Sequence, residues 1–136
     1  MTGETHLSAL LAAMEPVLTD AVWVFATLPP GAAIPPGVTP LMTYAEAEGL
    51  TLIVRLDEAE TAGLAHLFPS RRITLNIHSS LEAVGFLAAL LPPLAAAGIG
   101  VNPVSAYFHD HLFVPAERAE EALAILRQVA TRAANG

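Results

Sequence analysis

The fold is decided by the run Ile73-Thr-Leu-Asn-Ile-His-Ser-Ser-Leu-Glu-Ala-Val-Gly85 and by the residues that come directly after it. Its first five residues alternate apolar and polar side chains, which is typical of a half-buried strand. A helix is then predicted from Ser80 towards Ala97, because apolar residues dominate this stretch and Gly98 supplies a left-handed cap at its end. The run therefore predicts a strand that passes directly into a helix.

The run Ser105-Ala-Tyr-Phe-His-Asp-His-Leu-Phe-Val114 continues the pattern with strands predicted over Ile99 to Phe108 and His111 to Val114. His109 and Asp110 alone separate them, which is hairpin length. A last helix is predicted from about Ala116 to Ala133. The result is β-α-β-β-α, the ferredoxin-like β-α-β-β-α-β pattern without its last strand. We predict that a strand of the first half, Ala21 to Thr27, supplies it.

The first half of the chain is less regular and contains a proline-rich loop from Leu28 to Pro40. We predict a boundary at Pro69-Ser70, which gives an N-terminal half of residues 1–69 and a C-terminal domain of residues 70–136. The predicted helices and strands before that boundary are His6–Glu15, Ala21–Thr27, Leu41–Ala45, Leu50–Leu56 and Asp57 to about His66.

The composition excludes several classes of protein. Of 136 residues 54% are hydrophobic and 14% charged, so a folded interior is expected. The net charge is −7 with six Lys and Arg, which argues against nucleic-acid binding and against an anionic membrane surface. The N-terminus lacks a signal-peptide pattern and the chain has no cysteine, so a cytoplasmic location is expected. Pro92-Pro93 interrupts the longest apolar run and predicts a kink or break near Leu91.

The two quoted runs, with Glu48-Gly49-Leu50-Thr51, resemble a family of short bacterial proteins that carry two ACT-like halves in tandem. The resemblance implies an α+β, ferredoxin-like (βαββαβ) ACT fold, with the two halves packed as one unit. It also implies a non-catalytic regulatory or sensor protein that binds a small ligand, most often an amino acid, at the junction between ACT units. Relatives in the wider group include regulatory domains of biosynthetic enzymes and eukaryotic arginine sensors.

The segment His78-Ser79-Ser80-Leu81-Glu82 lies where the strand passes into the helix. Ser79 and Glu82 can form a capping box, and this alone is a sufficient structural role for them. The functional interpretation uses the same geometry, because free amides at Ser80 and Leu81, together with the helix dipole, can bind a ligand carboxylate.

The hairpin residues His109-Asp110-His111 are a second candidate site. An aspartate in a tight turn often only bonds its own backbone. By similarity to the arginine-sensing ACT proteins, Asp110 would instead pair with a ligand ammonium or guanidinium group. Gly98, at the entry to the second strand, would let the backbone approach a ligand closely, or would serve only as a helix cap. The residues predicted to bind the ligand are His78, Ser79, Ser80, Leu81, Gly98, Ile99, His109 and Asp110.

Three alternatives remain open at this stage. A metal could be held by His109 and His111 with His78, although two histidines are not a zinc set. A serine hydrolase could use Ser79 or Ser80, but the chain has no Gly-x-Ser-x-Gly motif. A homodimeric interaction module would need no small molecule at all. We predict no cofactor, no metal and no catalytic residue.

Two further predictions concern the aromatic residues and the pair Arg71-Arg72. Aromatic residues are expected in the core or at an interface, and a homodimer is expected to form through exposed sheet edges. Arg71-Arg72 is expected to lie on a solvated strand edge. The aromatic residues considered are Trp23, Phe25, Phe86, Tyr107 and Phe113.

Overall fold

A computed structural model describes residues 3–77 and 85–136, with side chains from residue 6 onward. Its helices are α1 (Gly3–Ala13), α2 (Leu56–Ala62), α3 (Phe86–Ala96) and α4 (Ala119–Asn135), and a 3-10 turn (Ala116–Arg118) precedes α4. Its strands are β1 (Pro16–Leu28), β2 (Met42–Glu46), β3 (Gly49–Arg55), β4 (Ala65–Leu75), β5 (Asn102–Ser105) and β6 (Asp110–Pro115). The described strands have the sheet order β2-β3-β1-β4-β6-β5. Within the described residues, no helix is long and apolar enough to cross a membrane.

The chain divides into two compact units, each with its own core. One unit is Ala21–Ser70, and the other combines Met1–Asp20 with Arg71–Gly136. Strands β1 and β4 contribute to both units because each dividing point falls inside one of them. The strand order is β2-β3-β1-β4 in the first unit and β1-β4-β6-β5 in the second. Each unit thus has the four strands of a ferredoxin-like fold.

In the Ala21–Ser70 unit, β1 and β3 pair antiparallel, with Val24 opposite Val54. Both side chains are fully buried, in a core that also includes residues of α2 and the loop residue Val38. This loop, residues 29–41, stands where a ferredoxin-like unit has its first helix, which confirms the predicted proline-rich loop. Proline and glycine disfavour a helix there, so the loop covers the core with Val38 instead.

In the other unit, helices α1, α3 and α4 pack together over one core, to which Leu75, Leu90 and Leu126 contribute fully buried side chains. The missing fourth strand comes from β1, as predicted, but from residues 16–20 and not from Ala21–Thr27. Its pairing is visible where the Asn76 amide donates to Glu15 O at 3.0 Å. Residues 21–28 of β1 are already used in the first unit, which is why the preceding residues supply this strand.

Of the predicted kink or break near Leu91, the break is wrong, because α3 continues through Pro92 and Pro93 to Ala96. Proline adopts a helical φ without strain, and its cost lies in a lost hydrogen bond and a steric clash one turn earlier. Pro92 is exposed, while Leu90 and Leu94 are fully buried and hold the helix on the core. Packing on either side therefore outweighs the local penalty.

The prediction that Arg71-Arg72 lies on a solvated strand edge is also wrong. Both residues belong to β4, which has β1 and β6 as its neighbours. The Arg71 side chain is only 18% exposed. Its Nε donates to Thr19 O at 3.1 Å, and its Nη2 lies 3.2 Å from the Asp20 carboxylate. Pro69 obscured the strand in the sequence, since proline is uncommon inside sheets.

The five aromatic residues differ in burial, and Phe25 is partly buried. Trp23, Phe86 and Phe113 are buried, as predicted for core residues. Tyr107 is 74% exposed and does not contribute to the core. Its neighbour Phe108 is exposed as well, and their rings meet edge to face with centroids 4.8 Å apart. Both lie at the tip of the β5–β6 connection, where an interface role for Tyr107 stays a prediction.

Candidate functional site

The β5–β6 hairpin positions Asp110, and its connection is longer than the sequence suggested. Ser105 and Asp110 are register partners at the end of the paired strands, so residues 106–109 form the turn. The Ala106 amide donates to His109 O at 3.0 Å and closes it. The predicted two-residue turn is therefore wrong, and Asp110 is the first residue of β6. The high strand propensity of Tyr107 and Phe108 had extended the predicted strand too far.

The Asp110 carboxylate is buried among polar partners. Asp110 is 9% exposed, and Ser105 Oγ donates a hydrogen bond to its Oδ1 at 2.5 Å across the strand pair. Burying a carboxylate is costly unless hydrogen bonds or charges compensate for the lost water. Sequence reasoning missed Ser105, and only the register of the hairpin identifies it as the partner. A buried acid at the end of a strand is able to accept a cationic group of a ligand.

Two histidines flank this carboxylate along the chain and contact β4 or its end. His111 Nδ1 and Thr74 Oγ1 are hydrogen-bonded at 2.9 Å, and His109 Nδ1 donates to Ile77 O at 3.2 Å. The two rings are nearly perpendicular, with centroids 6.4 Å apart. Burial lowers the pKa of His111, and the nearby charges of Arg72 and His109 lower it further, against the opposing effect of Asp110. Burial and these charges thus favour the neutral form of His111.

The metal alternative gains no third ligand from the residues described. Across 3–77 and 85–136 there is no group of three or more His, Asp or Glu side chains placed to hold a metal ion. His78, the third ligand considered, lies outside the described residues. His109 and His111 each already have a hydrogen-bond partner on Nδ1.

The predicted anion-binding segment also lies outside the described residues. This applies to His78, Ser79, Ser80 and Leu81, so their capping and binding roles stay predictions. The structure describes the residues before and after this segment. Ile77, immediately before it, accepts the hydrogen bond from His109, and α3 begins at Phe86, five residues after Leu81 and later than the predicted start at Ser80. The hairpin with Asp110 is therefore connected to the residue from which this segment starts.

Gly98 and Ile99 end helix α3. Gly98 is left-handed at φ 75°, and its amide donates to Ala95 O while the Ile99 amide donates to Leu94 O. This pair of bonds is the Schellman arrangement, which confirms the predicted glycine cap. Arg118 adds two hydrogen bonds from its guanidinium, to the carbonyl oxygens of Ala97 and Gly98.

This helix end is not close to Asp110. Gly98 and Ile99 precede β5, whose first residue Asn102 pairs with Phe113, whereas Asp110 pairs with the last residue, Ser105. The four residues of β5 span about 10 Å at 3.3 Å per residue. Ile99 is itself buried in the core with 3% exposure. The structure therefore brings Asp110 and His109 together near Ile77 and leaves Gly98 and Ile99 elsewhere.

Two cavities in the Ala21–Ser70 unit were not anticipated from the sequence. One has a volume of about 240 Å³ and lies between the proline-rich loop, at Pro35 to Val38, and residues of α2. The other has a volume of about 220 Å³, and Arg55, Asp57 and Glu60 contribute to its lining. Both are shallow depressions of the surface, and their lining residues do not include a residue of the predicted site.

The chain matches two family models and several solved structures. Two family models described as ACT domain match the chain, one over residues 2–71 and one over residues 68–128. A protein of unknown function from Vibrio cholerae, described as a possible transport protein, is 39% identical. That match covers 95% of this chain and 99% of the other, with a TM-score of 0.85. A search of curated proteins found no match.

More distant structures share the fold. A protein from Agrobacterium tumefaciens is 18% identical over 86% of this chain and 89% of its own, with a TM-score of 0.71. The ligand-free regulatory subunit of aspartate kinase from Thermus thermophilus is 15% identical over 84% and 95%, with a TM-score of 0.58. The chain belongs to the ACT-domain family and carries two ACT domains in tandem on a ferredoxin-like α+β fold.

Proposed function

We propose that this protein is a non-catalytic regulatory protein that binds an amino acid. The observation that carries the proposal is the buried Asp110 carboxylate on a hairpin bonded to Ile77, directly before the segment His78 to Leu81. Family membership and the likeness to a regulatory subunit of aspartate kinase support a ligand-binding regulatory role. The location at the junction of the ACT domains, which the resemblance implied, is part of the proposal.

The chemistry of the two groups suits a zwitterion. Asp110, whose Oδ1 accepts a hydrogen bond from Ser105, would accept the ligand ammonium group, because a carboxylate forms strong hydrogen bonds with charged donors. His78, Ser79, Ser80 and Leu81 would receive the ligand carboxylate on backbone amides. His109 would join the site from the turn. Gly98 and Ile99 are the least supported of the proposed ligand residues, because they lie at the other end of β5.

A thermal-shift panel of the twenty amino acids, with nucleotides and polyamines, tests the proposal. A ligand at 100 times its dissociation constant stabilises the folded protein by about 2.7 kcal/mol. For a compound that binds, Asp110→Asn should weaken binding by about 2 kcal/mol or more, since truncating a buried charge pair costs about 2–5 kcal/mol. Asp57→Asn, an exposed carboxylate in the other unit, is the matched control and should leave binding unchanged.

Ligand analogues distinguish the group that binds the ligand ammonium from the segment that binds the ligand carboxylate. The amine that lacks the carboxylate and the acid that lacks the amino group should both bind more weakly than the amino acid. Asp110→Asn should weaken binding of the amino acid and of the amine, but not of the acid, because only the ammonium group contacts Asp110. If no compound raises the melting temperature and Asp110→Ala changes only the oligomeric state, the sensing proposal is wrong.

We further propose a homodimer with no nucleic-acid, membrane or cofactor requirement. The net charge of −7 and the low number of basic residues support the absence of nucleic-acid and anionic-membrane partners. The competing class is an interaction module without a small ligand. The exposed rings of Tyr107 and Phe108 favour it, because aromatic side chains are enriched at interfaces. The cytoplasmic location stays a prediction.

A further inference from the structure

His111 lies next to the proposed ammonium acceptor, on the same strand. Asp110 and His111 are consecutive residues of β6, so their Cα atoms are about 3.8 Å apart and their side chains point to opposite faces of the sheet. The Asp110 carboxylate accepts a hydrogen bond from Ser105, and the half-buried His111 ring is hydrogen-bonded to Thr74 through Nδ1 at 2.9 Å. A ligand at Asp110 would therefore leave the contacts of His111 in place, while the two groups interact through their charges.

The charges around His111 come from the strands beside it and from its own strand. Burial lowers the pKa of His111 most, and Arg72 of β4 and His109 of the preceding turn lower it further, whereas Asp110 raises it. The register partner in β5 is Val104, which carries no charge, and helix α4 packs on the opposite face of β6. Among these neighbours Asp110 is thus the group that favours a proton on His111.

A ligand ammonium group at Asp110 would reverse this effect. The ammonium pairs with the carboxylate and cancels the negative charge that favours protonation of His111. Charges interact more strongly in a half-buried site than in water, because the effective dielectric constant is lower. By thermodynamic linkage, a proton on His111 must then weaken ligand binding by the same factor by which the ligand weakens proton binding.

His111 acts on the ammonium end of the ligand more than on its carboxylate end. Asp110 is its immediate neighbour in β6, whereas the segment proposed for the carboxylate, His78 to Leu81, follows Ile77. The hydrogen bond of His111 is made with Thr74, three residues before Ile77 in the chain. Because Coulomb energy falls with distance, a charge on the ring acts mainly on the group that Asp110 binds.

We propose that ligand binding at this site is linked to protons: protonation of His111 weakens binding of the ligand ammonium group at Asp110, so the protein binds its amino acid less tightly in acid than at neutral pH. The inference rests on the proposed function and assigns the regulation of the same site. The proton and the ligand bind on different faces of β6, so acid lowers the affinity without blocking the site. Since the pKa of His111 lies below the ordinary 6.5, most of the change falls below that pH.

Isothermal titration calorimetry at pH 7 and pH 5 measures the linkage, with the twenty free amino acids as probes. The α-ammonium and α-carboxylate groups of the probes keep their charges over this range. For a probe that binds, the dissociation constant of the wild type should be roughly threefold or more higher at pH 5. His111→Gln, which cannot gain a charge, should lose most of this difference. His66→Gln removes a histidine from the other unit and should keep the wild-type ratio.

The amine and acid analogues of a bound probe show which end of the ligand responds to the proton. The amine that lacks the carboxylate should bind the wild type more weakly at pH 5, and the acid that lacks the amino group should not. An NMR titration of the imidazole signals needs no ligand. There Asp110→Asn should lower the pKa of His111, because it removes the charge that favours the proton. Circular dichroism checks the fold of this variant, and the comparison with His111→Gln remains decisive if it unfolds.

The possible outcomes separate this inference from the proposed function. Equal affinities of the wild type at the two pH values, or the wild-type ratio in His111→Gln, would overturn the inference and leave amino-acid binding intact. An unchanged pKa of His111 in folded Asp110→Asn would overturn it as well. If none of the twenty amino acids binds the wild type at either pH, the proposed function is wrong and this inference is wrong with it.

Discussion

At the residue scale, we expect His111 to make the stability of the fold depend on pH. Arg72 and Thr74 on β4, together with His109 and Asp110, surround it, and burial is the main reason its pKa falls below the ordinary 6.5. A lowered pKa means that the unfolded state binds a proton more readily than the folded state. Well above pH 6.5 both states are neutral and the residue adds no pH dependence, whereas as the pH falls through 6.5 the folded state loses stability until the folded-state pKa is passed.

We therefore expect His111→Gln to reduce the loss of unfolding free energy between pH 7 and pH 5. Urea denaturation at several pH values, compared with the wild type, measures this difference. His66→Gln is a suitable control, because it removes a histidine from the other unit and leaves the surroundings of His111 intact. Identical pH profiles for wild type and His111→Gln would contradict the prediction. So would an NMR titration that gave His111 a pKa at or above 6.5.

The backbone around position 49 has room only for a glycine. A Cβ atom added at this position would lie 2.3 Å from the backbone oxygen of Leu28, which cannot move away as a flexible side chain could. We expect Gly49→Ala to lower the free energy of unfolding by roughly 1–3 kcal/mol, the usual cost of overpacking. Gly100→Ala is the control, because a Cβ there meets no atom within 4 Å, and it should change stability by less than about 0.5 kcal/mol. Denaturant midpoints measure both.

At the element scale, α3 retains two prolines that its packing tolerates. Pro92 is exposed inside the helix, so its replacement by alanine restores an amide donor without opening a cavity. The helix-interior penalty of about 3 kcal/mol is partly offset, because proline also restricts the unfolded chain. We expect Pro92→Ala to raise the free energy of unfolding by roughly 1–2 kcal/mol. Pro30→Ala, in the exposed loop, should instead lower it by about 0.5 kcal/mol; equal effects of the two would contradict this explanation.

At the scale of the whole molecule, the C-terminal ACT domain depends on the first residues of the chain. Helix α1 packs on α4 and α3, and residues 16–20 of β1 supply the fourth strand. We expect residues 70–136 expressed alone to show little cooperative unfolding by circular dichroism. A synthetic peptide of residues 1–20, added in trans, should increase the helical signal, and a scrambled peptide should not. A cooperatively folded fragment 70–136 would contradict this expectation.

The sequence by itself predicted the class of fold and most helices and strands. Periodicity located α4 and the strand in front of the segment His78 to Leu81, because each buries one face against a core, and a run of apolar residues located β3. Gly98 was assigned correctly as a helix end, since a left-handed residue there is a local requirement. Local signals also drew attention to Asp110, which the structure buries.

Only the tertiary structure determined which strands contribute to both units and which side chains surround Asp110. Residues 16–20 and 71–75 pair although they are distant in sequence, and Pro69 concealed the strand that contributes to both units. The polar partners of Asp110 and His111, Ser105 and Thr74, depend on strand register across the sheet. Local sequence patterns do not reveal such long-range pairing. Hydrophobic burial and backbone hydrogen bonding, summed over the whole sheet, determine it.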